Sequence, residues 1–152
     1  LRPLSDVESR PLRIERAKGI IVPAEQADEL EQIQEFVQRH VAQDEVLFTY
    51  PELGTYNFLV DRRFYGRFPL ATFTWFNDRW HTDLLAQLNK SKPQYIILEK
   101  EIPQYWKDVY LGLEPNRKKF RDMMEFISAY YTLVGETRLS GIYQLKGNGH
   151  GL

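Results

Sequence analysis

Four charges fall within seven positions of this chain, at Asp61, Arg62, Arg63 and Arg67. They are the residues best suited to bind something. A guanidinium donates two parallel hydrogen bonds in a fixed fork, which matches phosphate and carboxylate. Arg62, Arg63 and Arg67 are therefore candidates for a small anionic ligand, with Asp61 beside them. An internal reading stands next to this one. Asp61 can hold one arginine in an ion pair, and arginines after a helix can cap its last carbonyls. Both readings place the cluster beyond the C-terminal end of a strand and its following helix, near where open α/β sheets hold ligands.

The remaining chemistry is sparse. There is no cysteine, so thiolate catalysis, disulfides and cysteine-bound metals are excluded. The three histidines, His40, His81 and His150, form no HExxH pair and meet no carboxylates at metal-ligand spacing. There is no GxSxG elbow and no Walker-type phosphate loop. The glycine-rich run Gly147–Gly151 leads into no helix. We therefore expect no catalytic residue, no metal and no cofactor in this chain. Net charge is −1 and the pI about 6.4, unlike the basic domains that bind nucleic acid.

The elements that must position the cluster are legible from hydrophobic periodicity. Val46–Tyr50 is apolar, aromatic and β-branched, and Pro51 ends it, as suits a buried strand. Leu53, Tyr56 and Val60 then recur at helical spacing up to the charged turn. Upstream, Leu1–Lys18 is charged, holds two prolines and has no period, which predicts a linker or arm. Gly19–Pro23 is extended. Ala24–Val41 is an amphipathic helix with Ala27, Leu30, Ile33, Val37 and Val41 on one face.

Downstream, Pro69–Asn77 is irregular and aromatic. Asp78–Lys90 is a helix with Trp80, Leu84, Leu85 and Leu88 inward, and Gln94–Leu98 is a second buried strand. Lys100–Pro115 is a loop or broken helix with Tyr105, Trp106 and Tyr110, whose rings suit either the core or cover for a neighbouring domain. Asn116–Tyr130 is a third helix, with Phe120, Met123, Met124, Ile127 and Tyr130 as its stripe. Tyr131–Glu136 and Gly141–Leu145 form an antiparallel edge hairpin. Strand, helix and strand in alternation predict an α/β fold: three layers, a short and mostly parallel sheet, and helices on both faces. The expected organisation is an arm at 1–18, one α/β domain at 19–146 and a tail at 147–152.

The phrases AKGIIVP, DEVLFTYPELGTYNFLVDRR with GRF, LLAQLNKSKPQYIILEK and FISAYYTLVGETRLSGIYQLK stand in a particular order. Over about Ala17–Lys146 that layout resembles the soluble C-terminal domain of bacterial membrane glycosyltransferases of the GT-C class, the dolichyl-phosphate-mannose-protein mannosyltransferase-like proteins. The resemblance implies a large N-terminal transmembrane part as partner, a polyprenyl-phosphate sugar donor, and a position on the extracytoplasmic face of the cytoplasmic membrane. The family's catalytic acid lies in the membrane part, so no residue here inherits it. The family's tyrosine and arginine positions correspond to Tyr56, Arg63 and Arg67, which adds Tyr56 to the candidates. The loop Ile102–Pro115 follows no pattern of that family. The chain begins at Leu1, as expected of a piece of something larger, and its longest runs free of Lys, Arg, Asp and Glu are 10 residues, against about 20 for a membrane span. Two rivals remain: a free-standing module binding a small anion at the arginines, and an independent enzyme.

Overall fold

The computed structural model describes residues 8–51, 53–67, 74–102 and 104–147. Five strands form the main sheet: β3 (Val46–Tyr50), β4 (Arg63–Phe64), β5 (Tyr95–Glu99), β6 (Tyr131–Glu136) and β7 (Ser140–Leu145). Their spatial order is β4-β3-β5-β7-β6. β3 runs parallel to both β4 and β5, while β5–β7 and β7–β6 are antiparallel. The parallel pairing expected of the two apolar runs is present, with Phe48 opposite Ile96 and Thr49 opposite Ile97.

Why these runs are apolar throughout follows from the layers. Successive side chains of a strand point to opposite faces. Leu47, Tyr95, Ile97 and Ile142 pack on one face, against Ile33 and Val37 of helix α1 (Ala24–His40). Phe48, Tyr50 and Ile96 pack on the other, against α3 (Asp78–Lys90) and α5 (Glu114–Tyr130). A sheet covered on both faces needs apolar residues at every position, not at alternate ones. α2 (Gly54–Leu59) lies on the α1 side, and Leu53, Tyr56 and Val60 pack there as their spacing predicted.

The edge hairpin is anchored to α1 by a buried carboxylate. Glu29 accepts hydrogen bonds from the Thr137 hydroxyl at 2.6 Å and the Leu139 N–H at 3.1 Å. A polar pattern on α1 thus becomes a specific pin for the β6–β7 turn.

The structure sharpens or corrects several local expectations. Of the linker or arm expected at 1–18, residues 8–18 form a packed arm: Ser9–Pro11 (β1) pairs antiparallel with Ile21–Pro23 (β2), and Leu12, Ile14 and Ala17 are buried against Ala27, Leu30 and Leu59. Their apolar spacing is too short to show a period, but a third cluster forms once α1 lies beside them. Within α3 the inward position is His81 rather than Trp80, which stays 39% exposed. In α5, Phe126 is buried while Tyr130 is largely outside. The stretch expected as a loop or broken helix contains α4 (Gln104–Val109), and α5 starts two residues early, with Pro115 in its first turn. Most of the irregular Pro69–Asn77 segment, the first seven residues and the tail from Asn148 lie outside the described residues.

Candidate functional site

The charged turn lies at the opposite end of the sheet from the one expected. β4 pairs in parallel with the start of β3, Val46 facing Arg63 and Leu47 facing Phe64. The turn therefore sits beside the N-terminal ends of the parallel strands, not in the crevice beyond their C-terminal ends. The reason is topological. α2 is a crossover helix, and a crossover must carry the chain back before the next parallel strand can begin.

At that end the arginines hold the chain together. Arg62 donates to the Val41 carbonyl through both Nε and Nη2, at 3.2 and 2.7 Å, and through Nη1 to Gln43 Oε1 at 2.8 Å and to the Val60 and Asp61 carbonyls at 3.2 and 3.0 Å. Its fork ties the C-terminal end of α1 to the end of α2. Arg63 is exposed and donates to the Asp44 carbonyl at 2.6 Å. Asp61 pairs with neither. It accepts from Arg16 of the arm at 2.5 Å and from Gln43 at 3.0 Å, and Arg16 also lies over the Phe58 ring at 4.8 Å. Asp61 holds a φ of 55°, a left-handed conformation that Asp tolerates better than most residues. Tyr56 is turned away from this turn and packs between two core clusters on the α1 side, where burial pushes its phenol up to about 12.

Arg67 occupies a separate place. Beyond Gly66, whose φ of 98° turns the chain, it lines a small cleft of about 80 Å³ between β4 and α3. Phe64, Phe76 and Trp80 supply aromatic walls, and Asp83 and Gln87 lie on the α3 side. Phe76 and Trp80 meet edge to face at 6.1 Å and 81°. Arg63 opens instead onto a shallow hollow with Asp44, Glu45 and Lys92. The sequence neighbours Arg62, Arg63 and Arg67 thus serve three different surroundings and do not converge as one anion cradle. Arg63 and Arg67 are both exposed.

No known family model matches the chain, and no curated protein matches it significantly. Among solved structures it is similar to the C-terminal globular domain of an oligosaccharyltransferase from Archaeoglobus fulgidus, at 12% identity and a TM-score of 0.47, over 82% of this chain and 99% of that one. No helix among the described residues is long and apolar enough to cross a membrane.

Sequence reasoning passed over a second polar group, between α3 and α5. His81 is buried, its Nε2 3.6 Å from Asp122 Oδ2. Asp122 is held in turn by Lys118 at 2.6 Å. Lys119, also buried, donates to the Phe76 carbonyl at 2.8 Å and lies 3.1 Å from Asp78. Burial pulls the His81 imidazole below its usual range, with Asp122 pulling the other way and Lys118 and Lys119 reinforcing burial. The available signal was spacing: His81, Leu84, Leu85 and Leu88 share one helical face. Among the described residues no group of three or more His, Asp or Glu could hold a metal ion.

Proposed function

We propose that this chain is a non-catalytic, extracytoplasmic C-terminal domain of a polyprenyl-phosphate-sugar-dependent membrane glycosyltransferase. In this reading it supports the acceptor side or braces the membrane part. One observation carries it. The phrases behind the resemblance are scattered along the chain, yet those from residue 44 to residue 146 supply the strands of one sheet: DEVLFTY as β3, VDRR as the entry to β4, KPQYIILEK around β5, and the last phrase as the β6–β7 hairpin, while AKGIIVP supplies β2 of the small two-stranded sheet. Phrases that share a sheet are constrained by the same packing, so their common order reflects one fold rather than unrelated short matches. The divergence of Arg62, Arg63 and Arg67 weakens the rival reading as a small-anion module.

The test has two arms. The reading frame upstream of Leu1 should encode several hydrophobic spans. The isolated chain, incubated with a polyprenyl-phosphate sugar and candidate acceptors, should transfer nothing above the buffer blank. Turnover abolished by a point mutation within this chain would overturn the non-catalytic assignment, and a start codon immediately before Leu1 with no spans would overturn the membrane one.

A further inference from the structure

We propose that the cleft between β4 and α3 is a recognition site for a neutral saccharide. The inference rests on the acceptor-side reading above and names the ligand class that reading would require. Its argument is the chemistry of the walls. The cleft combines aromatic surface from Trp80 and half-buried Phe64, over a buried Phe76, with planar polar groups on Arg67, Asp83 and Gln87. A sugar ring presents the matching pair of surfaces. One side is a patch of polarised C–H groups that packs on an aromatic face, where π density attracts their partial positive charge. The rim carries vicinal hydroxyls that both donate and accept. A carboxylate accepts from such a pair, a guanidinium donates to one, and an amide does both.

Charge decides between this ligand and a phosphate. The cleft sets one guanidinium, Arg67, and one carboxylate, Asp83, around the same space. An anion would gain from the first and be repelled by the second. A neutral polyol can use both. The cleft is small, about 80 Å³, so it takes the edge of one terminal ring while the rest of the saccharide lies outside it. Trp80, at 39% exposure, has ring surface left to offer, and Trp75, five residues before it, is 70% exposed. The walls are pre-formed, since the edge-to-face contact with Phe76 and the Asn77 cap on the Trp80 N–H at 2.9 Å fix the start of α3.

The experiment is a titration of the 152-residue chain with mannobiose, chitobiose and maltotriose, and separately with inorganic phosphate at constant ionic strength. It is read by indole fluorescence and by amide and indole N–H chemical shifts. The expected result is saturable binding of at least one saccharide in the millimolar range, with shifts at Trp80, Asp83 and Gln87. Asp83→Asn and Gln87→Ala alter exposed side chains, so the fold is kept, and each should weaken that binding roughly tenfold, as for loss of a hydrogen bond to a charged or buried partner. Trp80→Ala should abolish it. Three results overturn the proposal: no saccharide binds, phosphate shifts the same resonances more tightly than any sugar, or binding survives all three substitutions. The broader reading fails separately, through the upstream sequence and the transfer assay. A parent enzyme with membrane spans whose cleft binds no sugar would refute the cleft and leave the domain assignment standing.

Discussion

Arg62→Ala tests whether the charged turn is a clamp or a ligand site. In the structure the Arg62 guanidinium makes two hydrogen bonds to the Val41 carbonyl, the C-cap of α1, and others to Gln43 Oε1 and the Val60 and Asp61 carbonyls. The forked, half-buried pair on Val41 dominates. A hydrogen bond to a charged donor contributes about 1.5–3 kcal/mol net, whereas the contacts nearer solvent are largely replaced by water when the side chain goes. Arg62→Ala is therefore expected to cost about 2 kcal/mol. Arg62→Lys should recover only part of that, because one ammonium cannot reproduce the fork. Arg63→Ala and Arg67→Ala, at exposed positions, should each cost under about 1 kcal/mol. Urea unfolding of the four variants measures this, provided the slope of free energy against urea stays unchanged. If Arg62→Ala cost less than about 0.5 kcal/mol while Arg63→Ala cost more than about 2, the assignment of Arg62 as the structural arginine would be refuted.

Three further outcomes are expected. Leu47→Ala or Ile97→Ala, at positions with no exposure, should each cost about 2–5 kcal/mol in the same unfolding assay, and a loss under about 0.5 at both would show that β3 and β5 are not the core. Glu29→Ala should cost about 2–4 kcal/mol and speed amide exchange in the β6–β7 turn, because the Leu139 N–H loses its acceptor and the Thr137 hydroxyl is left with the Ser140 carbonyl, at 3.2 Å, as its acceptor; unchanged exchange at Leu139 would sink this. For pH, burial holds the His81 imidazole below its ordinary range in the folded chain, while the unfolded chain protonates it near 6.5. The unfolded state therefore binds more protons in that window, and stability must fall as pH drops through it. Melting temperature followed from about pH 7.5 to about 5.5 should decline less steeply in His81→Gln than in the natural chain, and parallel curves would remove His81 as a cause.

A different carboxylate acts lower on the scale. Hydrogen bonds from Arg10 and Arg13, which together outweigh its partial burial, hold Glu31 down at about 2 against an ordinary 4.5. Its contribution is present above the ordinary value and is lost as pH falls from there towards about 2. The acid response of the arm and that of the α3–α5 interface are thereby separated in pH.

The amino-acid sequence by itself determined the elements whose evidence lies within a short window. Ala27, Leu30, Ile33 and Val37 spell the α1 stripe, Leu84, Leu85 and Leu88 that of α3, and the unbroken apolar runs at Val46–Tyr50 and Tyr95–Leu98 identify strands covered on both faces. Periodicity is a local property, so one stretch suffices to show it. The fate of single polar side chains was decided only in three dimensions. Arg62, Arg63 and Arg67 are close in sequence, but the return of the chain after α2 sends one to the end of α1, one to the Asp44 loop and one to the β4–α3 cleft. Asp61 has arginines on its C-terminal side and yet pairs with Arg16, forty-five positions away. Glu29 looks like a surface residue of an amphipathic helix and becomes buried because the hairpin turn, more than a hundred residues later, brings two donors to it. A charge takes whichever partner the fold delivers within about 3 Å, and that partner is set by register and crossover geometry rather than by spacing along the chain.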